Sequence, residues 1–231
     1  MVLSRKGNLF TIHNFFLRYF IDFQFQTIIN CLRQSTSSLG QDLAILDMGC
    51  GNSPYRPLFE SHAGNYLRVD SDRATLPHYP RLADIPPKTR FDLILLIEVL
   101  EHIKGPGDFL VKLLPYLKED GQIWISVPFS ARVHGAPEDY RRWTPLGLKD
   151  FLEKNGLNIS SINPRGNNIL SIINKILYLN TQLLFHPIYF LLGIFMLILL
   201  GIPLVLFGQL AVLIPFIDDD PLGYFVVATK K

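Results

Sequence analysis

Charge is what this sequence has least of. Asp, Glu, Lys and Arg make up 18% of its 231 residues, against roughly 25% in an ordinary soluble domain. The net charge is only +2 and no block of five or more Lys or Arg occurs, so no nucleic-acid partner is expected. Cysteine is scarce as well. Cys31 and Cys50 have no spacing for a disulfide framework or a zinc site, which fits a reducing compartment. No signal peptide is expected, because the apolar stretch after Arg5 and Lys6 is broken by His13, Asn14, Arg18 and Asp22. No internal repeat and no low-complexity tract is present. The largest absence is local, since not one Asp, Glu, Lys or Arg stands between Lys175 and Asp218.

What is present follows an alternating plan. Aromatic and polar residues at helical spacing over 8–34, with Phe15, Tyr19 and Phe23 on one face, predict one or two amphipathic helices ending in "QSTSSLG". Strand signals recur at Leu43 to Asp47, Tyr66 to Asp70, Phe91 to Ile97 and Gln122 to Val127. Asp108 to Leu117 carries an apolar helical stripe with Gly121 as a stop, and "FDLILLI" has the continuous apolar character of a strand buried on both faces. The class is therefore α/β with a mostly parallel sheet. "TPLGLKDFLEKNG" predicts a helix with Thr144 as N-cap, Pro145 at the first position and Gly156 past the end. "LNISSINP" and "GYFVVATKK" complete the strands.

The chemistry begins at "AILDMGCGNSPYRP", where an apolar strand ends on Asp47 and runs into Gly49-Cys50-Gly51. Glycines there let a ligand approach the backbone at the carboxyl edge of a parallel sheet. A triphosphate loop is excluded because no Gly-Lys-Ser/Thr follows, and a dinucleotide fingerprint fits poorly because Pro54 occupies its third glycine position. An acid before the loop and another closing the next strand point instead to a cationic, ribose-bearing cofactor. "LDMGCGNSPY", "YLRVDSD", "ADIPPKTRFDLILLIEVLEHI" and "LPYLKEDGQIWISVPF" stand in the order and spacing of the class I S-adenosylmethionine-dependent methyltransferases, which the chain resembles from Ala44 to about Pro164 and again in its last strand.

The resemblance implies a Rossmann-like, seven-stranded sheet with an antiparallel last strand, and S-adenosyl-L-methionine as the methyl donor. It assigns Asp47, Gly49, Cys50 and Gly51 to the methionine and ribose portions, Asp70 with Ser71 to the ribose hydroxyls, Asp84 to the adenine amino group, Ile85 to the ring, and Glu98 to the methionine end. Ser53 departs from the family by standing where many members have a third glycine. Asp70 and Asp84 also have plainer readings as turn or cap residues, Asp84 most of all because Pro86 and Pro87 follow it.

Methyl transfer from a sulfonium needs alignment and a dry cavity, and a base only if the nucleophile must lose a proton. Glu98 and His102 in "EVLEHI" are one helical turn apart, so His102 is either a base or a structural anchor. No metal is expected, because H-E-x-x-H and H-x-x-E-H need two histidines and position 98 is Glu. The loop "PFSARVHGAPEDYRRWTP" is denser in functional groups and resembles a segment of methyltransferases from glycan and lipid pathways. His134 is its candidate base, and Arg132, Tyr140 and Arg141 are candidates to hold the substrate. The alternative is that Tyr140 to Thr144 only caps the next helix.

The uncharged run Ile176 to Ile217 divides at Gly201 and Pro203 into arms of about 14 and 15 residues, each shorter than the ~20 needed to cross a bilayer. Because the resembled fold returns its last strand to the same sheet, both ends of this run must lie on one side of any membrane. The expected organisation is N-terminal amphipathic helices over 1–40, a methyltransferase domain over 41–168 and 218–231, and a hydrophobic hairpin over 169–217. The function expected is methylation, with oxygen favoured, of a lipid-linked or hydrophobic acceptor at the cytoplasmic face of a membrane. A soluble small-molecule methyltransferase with an apolar dimer seam and a non-catalytic membrane-tethered module are the alternatives. Oligomeric state is not legible.

Overall fold

The computed structural model describes Tyr19, residues 21–213 and residues 219–231. The expected face at Phe15 and the end of the apolar run at Ile217 and Asp218 lie outside the described residues.

Six strands form one sheet in the order β2-β1-β3-β4-β6-β5. They are β1 (Leu43–Met48), β2 (Ala63–Val69), β3 (Phe91–Ile97), β4 (Leu117–Pro128), β5 (Leu157–Arg165) and β6 (Gly223–Lys230). The first four are mutually parallel, and β6 runs antiparallel between β4 and β5. β3 sits centrally because all but Asp92 of "FDLILLI" is buried, leaving water no face to occupy. The seventh strand implied by the resemblance shrinks to a single parallel bridge, Val69 with Tyr79, inside a segment of short 3-10 turns.

Helices cover both faces. α1 (Phe23–Thr36) starts where the Asp22 carboxylate accepts from Phe25 N–H at 3.1 Å, and it buries Ile28 and Leu32 against Ile45, Leu93 and Trp124. On the other face, α2 (Pro106–Leu113) and α3 (Pro145–Lys154) pack Leu110, Leu113, Leu148 and Leu152 onto Ile94, Leu96 and Ile125. α3 is capped as its sequence predicts: Thr144 Oγ1 accepts from Gly147 N–H at 3.2 Å, and Gly156 takes φ +88° beyond the end. β4 begins earlier than expected, at Leu117, and the residues around Gly121 form an irregularity in its pairing with β3 instead of a helix stop.

The apolar run forms a helical hairpin of α4 (Asn168–Leu184), α5 (Phe190–Met196), a π-helical turn (Leu197–Gly201) and α6 (Ile202–Ala211). The expected break at Gly201 and Pro203 does not occur; Phe190 to Ala211 is one 22-residue helix, and the chain reverses at 185–189 instead. The wider π turn lies immediately before Pro203, where the helix must absorb a residue that lacks an N–H. At about 33 Å, this arm matches a ~30 Å hydrocarbon core. The hairpin's two ends meet, as the topology requires. Asn168 Nδ2 donates to Asp219 at 2.5 Å, Ser171 Oγ to the Asp220 carbonyl at 2.7 Å, and Lys175 lies 3.4 Å from the Asp220 carboxylate.

Candidate functional site

β1 delivers Asp47 to the carboxyl edge of the sheet, where the chain turns sharply through residues that take positive φ: Gly49 at +72°, Gly51 at +50° and Ser53 at +52°. Gly49 has a packing reason as well, since a Cβ there would fall 2.6 Å from Val99 Cγ2. At Gly51 a Cβ would meet nothing within 4 Å, so the bare backbone faces open space. Asp70, just past the end of β2, borders that space. Its Oδ2 accepts from Gly51 N–H at 2.8 Å and its Oδ1 from Asp72 N–H at 2.8 Å. A carboxylate has about four lone-pair positions, so two remain for a pair of hydroxyls. Together the bare loop and this acid fit the ribose-bearing methyl donor.

The neighbouring residues divide into those that face the loop's open side and those spent elsewhere. Asp47 is 3% exposed, and its Oδ2 accepts from the Tyr66 hydroxyl at 2.9 Å; burial pushes its carboxyl up to about 6, against the opposing hydrogen bond from Tyr66. Cys50 is buried and its thiol is pushed up to about 11 by burial, so it stays neutral and unreactive at physiological pH. Ser71 is exposed beside Asp70. Asp84 holds the exposed Arg81 side chain in a two-pronged pair at 3.0 and 3.2 Å. Ile85 packs into the hydrophobic core, and its carbonyl accepts from Tyr116 Oη at 3.3 Å.

Glu98 follows β3 directly and takes φ +57°, a strained conformation for a residue with a side chain. Its Oε1 accepts from Ser126 Oγ at 2.7 Å and from Arg165 Nη2 at 2.8 Å. Arg165, at the end of β5, is fully buried, and a Cβ at Gly223 would fall 2.2 Å from its Nη2. No spacing in the sequence pairs Glu98 with a cation. The only local sign of Arg165 is a charge at the end of the mixed polar and apolar strand "LNISSINP", followed by Gly166, which takes φ +76°.

A second cluster lies on the next turn of chain. Glu101 and His102 belong to the 3-10 turn Leu100–His102, and the loop after β4 brings His134 to them. Glu101 Oε1 is 3.6 Å from His102 Nε2 and 3.6 Å from His134 Nε2, and the two imidazoles meet edge to face with centroids 4.9 Å apart. Burial raises the Glu101 carboxyl, and the Glu101 carboxylate in turn raises His134. The loop is held shut by Asp139. Its Oδ2 accepts from His134 N–H at 2.7 Å, and both oxygens accept from the Arg142 guanidinium at 2.6 and 2.9 Å. Burial acts to raise the Asp139 carboxyl, but those donors prevail and hold it at about 2. Gly135, at φ +68°, permits the close pass over His102, whose Cε1 a Cβ would approach to 2.9 Å.

The structure brings His102 and His134 together and separates the other loop candidates. Arg141 donates to the carbonyls of Ile103 at 2.7 Å and Lys104 at 2.8 Å, so it braces the 3-10 turn. The Tyr140 side chain is exposed while its N–H donates to the Glu101 carbonyl at 2.8 Å. Arg132 stacks its guanidinium 4.5 Å over the Tyr178 ring of α4, which joins the loop to the hairpin. Glu101, Asp139 and Arg142 complete the cluster, but only the fold reveals that they meet around the same histidines.

Comparison with known proteins agrees with this geometry. A family model described as a methyltransferase domain matches residues 24–166. A ubiquinone biosynthesis O-methyltransferase of Rhodopseudomonas palustris is 29% identical over 130 residues, covering 47% of this chain and 51% of that protein. One of the same name from Bradyrhizobium diazoefficiens is 27% identical over 139 residues, covering 51% and 54%. The chain thus spans about half the length of the curated relatives it matches. Among solved structures, an S-adenosylmethionine-dependent methyltransferase from Listeria monocytogenes superposes with TM-score 0.57 at 14% identity, over 89% of this chain and 99% of that one. A [4+2]-cyclase superposes equally well, with TM-score 0.57 and 16% identity over 89% and 81%, so the fold alone does not fix the reaction. With the family model covering five of the six strands, the glycine loop and both clusters, this chain belongs to the methyltransferase-domain family, and its fold is that of the class I S-adenosylmethionine-dependent methyltransferases.

Proposed function

We propose that the protein methylates a hydroxyl of a hydrophobic or lipid-linked acceptor at the cytoplasmic surface of a membrane, with its helical hairpin seated in the bilayer. The observation that carries this reading is the inversion of the long helix. Gly193, Gly201, Gly208 and Ala211 face inward, while Leu191, Phe195, Ile198, Leu206 and Leu210 stand exposed. A Cβ at Gly193 would lie 2.5 Å from the Leu184 backbone, and one at Gly208 2.2 Å from the Phe23 ring. Small residues at the helix contact and large apolar ones outside is how helices pack in lipid. In water the same surface far exceeds the apolar patch a monomer normally exposes.

The bound donor supplies an electrophilic methyl on a positive sulfur, and the sulfur keeps the electron pair when the carbon–sulfur bond breaks. Asp70 with the Gly49–Gly51 loop holds the nucleoside, and Glu98, fixed by Arg165, borders the methionine end. The acceptor hydroxyl gives its proton to the Glu101, His102 and His134 cluster, where His134 is the leading base. Arg132, bound to α4 through Tyr178, links that pocket to the hairpin and so to the surface from which a lipid-borne substrate arrives. The named relatives act in ubiquinone biosynthesis, which supports a hydrophobic acceptor of this kind.

Mass spectrometry of a membrane lipid extract, incubated with detergent-purified protein and isotopically labelled methyl donor, tests the reading. A labelled methyl ether in the lipid fraction is expected. Label confined to water-soluble acceptors, with a protein that carbonate washing frees from membranes, would favour a soluble enzyme whose hairpin is a subunit seam.

A further inference from the structure

We propose that Glu101, His102 and His134 form a binding site for one divalent transition-metal cation, of the Mn2+ or Zn2+ type, with an open coordination position toward the acceptor. One ligand atom from each of the three lies within 4.8 Å of the other two. The two carboxylate-to-imidazole separations are both 3.6 Å, close to the about 3.4 Å that separates ligands in a tetrahedral site with bonds near 2.1 Å. The second, independent observation is Glu101 itself. It is 0% exposed, and neither carboxylate oxygen has a hydrogen-bond partner. Buried carboxylates are ordinarily paired, hydrogen-bonded or metal-bound, and this one is aimed at two imidazole nitrogens that lie too far for a good hydrogen bond.

The surroundings of the histidines point the same way. His102 turns Nδ1 to the Glu138 carbonyl, and His134 turns Nδ1 to the Arg132 carbonyl at 3.2 Å and the Asp139 carboxylate at 3.5 Å. Arg142 Nη2 also comes to 3.5 Å of that nitrogen, but its donors are taken up by Asp139 and the Arg132 carbonyl. With Nδ1 carrying the proton in each ring, both Nε2 lone pairs and the carboxylate converge on one point. Outer-shell oxygens on Nδ1 are the usual means of fixing a metal-ligating imidazole. Two nitrogens and one oxygen suit Zn2+, Mn2+ or Fe2+ better than the all-oxygen preference of Ca2+ or the thiolate sites of Cu+. The spacing that excludes a zinc motif in "EVLEHI" is thus completed in space by a histidine from the loop after β4.

The existence of the site is independent of the acceptor proposed above; only its role rests on that reading. A cation there would occupy the Nε2 lone pair by which His134 acts as base in the ion-free site and would take over that role: it would bind the acceptor oxygen, lower the pKa of its hydroxyl and let the proton pass to water at the open side, as metal-bound water is activated elsewhere. The test uses MnCl2 and ZnCl2 as probes on the full chain in detergent, without any methyl acceptor. Calorimetry should show one ion per chain, bound at least tenfold more weakly by Glu101→Gln and by His134→Gln, with affinity for the methyl donor kept within twofold. Pulsed electron paramagnetic resonance of the Mn2+ form should show imidazole nitrogen coupling that weakens in His134→Gln. No saturable binding of either ion, binding unchanged by both substitutions, or a Mn2+ spectrum free of nitrogen coupling overturns the proposal. Should Glu101→Gln fail to fold, the His134→Gln comparison and the nitrogen coupling decide alone. Cation binding with no labelled lipid would leave this site standing and remove the acceptor assignment.

Discussion

The sheet and the hairpin solve opposite packing problems with similar apolar compositions. In the sheet, large side chains go inside: Leu93, Ile94, Leu95 and Leu96 of β3 are all at most 1% exposed. In the long hairpin helix the glycines go inside and the large side chains outside, with only 11% of its most apolar window buried. The first pattern is what water imposes, since removing apolar area from water stabilises at about 25 cal/mol per Å². The second stabilises nothing in water and is consistent only with an apolar surround, lipid or protein. Polar anchoring follows the same division. The hairpin's ion pair and carboxylate hydrogen bonds, at Lys175, Asp219 and Asp220, gather at its base, and its far end at 185–189 has no Asp, Glu, Lys or Arg.

The largest effect that would break the comparison belongs to the sheet side. Glu98→Ala leaves the fully buried Arg165 without its carboxylate, and should lower unfolding stability by about 3–5 kcal/mol in denaturant titration. On the hairpin side, Ile198→Lys places a charge on a residue 63% exposed near the helix centre. It should leave stability in detergent within about 0.5 kcal/mol yet weaken liposome association by roughly 2.5–3.5 kcal/mol in flotation assays. Equal liposome binding by wild type and variant would place the helix outside the bilayer.

Asp47 gives a pH signature to the interior of the sheet. Its folded carboxyl lies near 6, above an unfolded value of about 3.9, so between pH 4 and 6 the folded state binds more protons than the unfolded state. Stability therefore falls as pH rises through that window, by on the order of 3 kcal/mol in all. Asp47→Asn should abolish this slope in thermal or chemical unfolding. Asp70→Ala should weaken binding of the methyl donor by about 1.5–3 kcal/mol in calorimetry, with the fold retained, because its two backbone donors lie at the solvent-facing loop. Unchanged affinity would count against the ribose assignment.

Local chemistry explains which parts of this molecule were legible in its sequence. The α3 cap at Thr144 and Pro145, the doubly buried β3 and the positive-φ glycines at 49 and 51 depend on near neighbours and read directly. The antiparallel placement of β6 came from resemblance, and the structure bears it out. The hairpin's reversal at 185–189 is not legible because Pro203 has the look of a break, and only the preceding π turn lets the helix run through it. The contacts Glu98 with Arg165 and Glu101 with His134 join residues from different strands and loops, and no spacing rule connects them. The metal-like cluster was hidden for the same reason: one of its histidines arrives from the loop after β4.

The most direct test of the membrane account is a nitroxide at Leu199→Cys, in a Cys31→Ser background, in protein reconstituted into liposomes. High accessibility to oxygen with little accessibility to a water-soluble nickel chelate is the expected result and places the outer face of the hairpin in hydrocarbon. Ready collision with the nickel chelate would put that face in water and contradict the account.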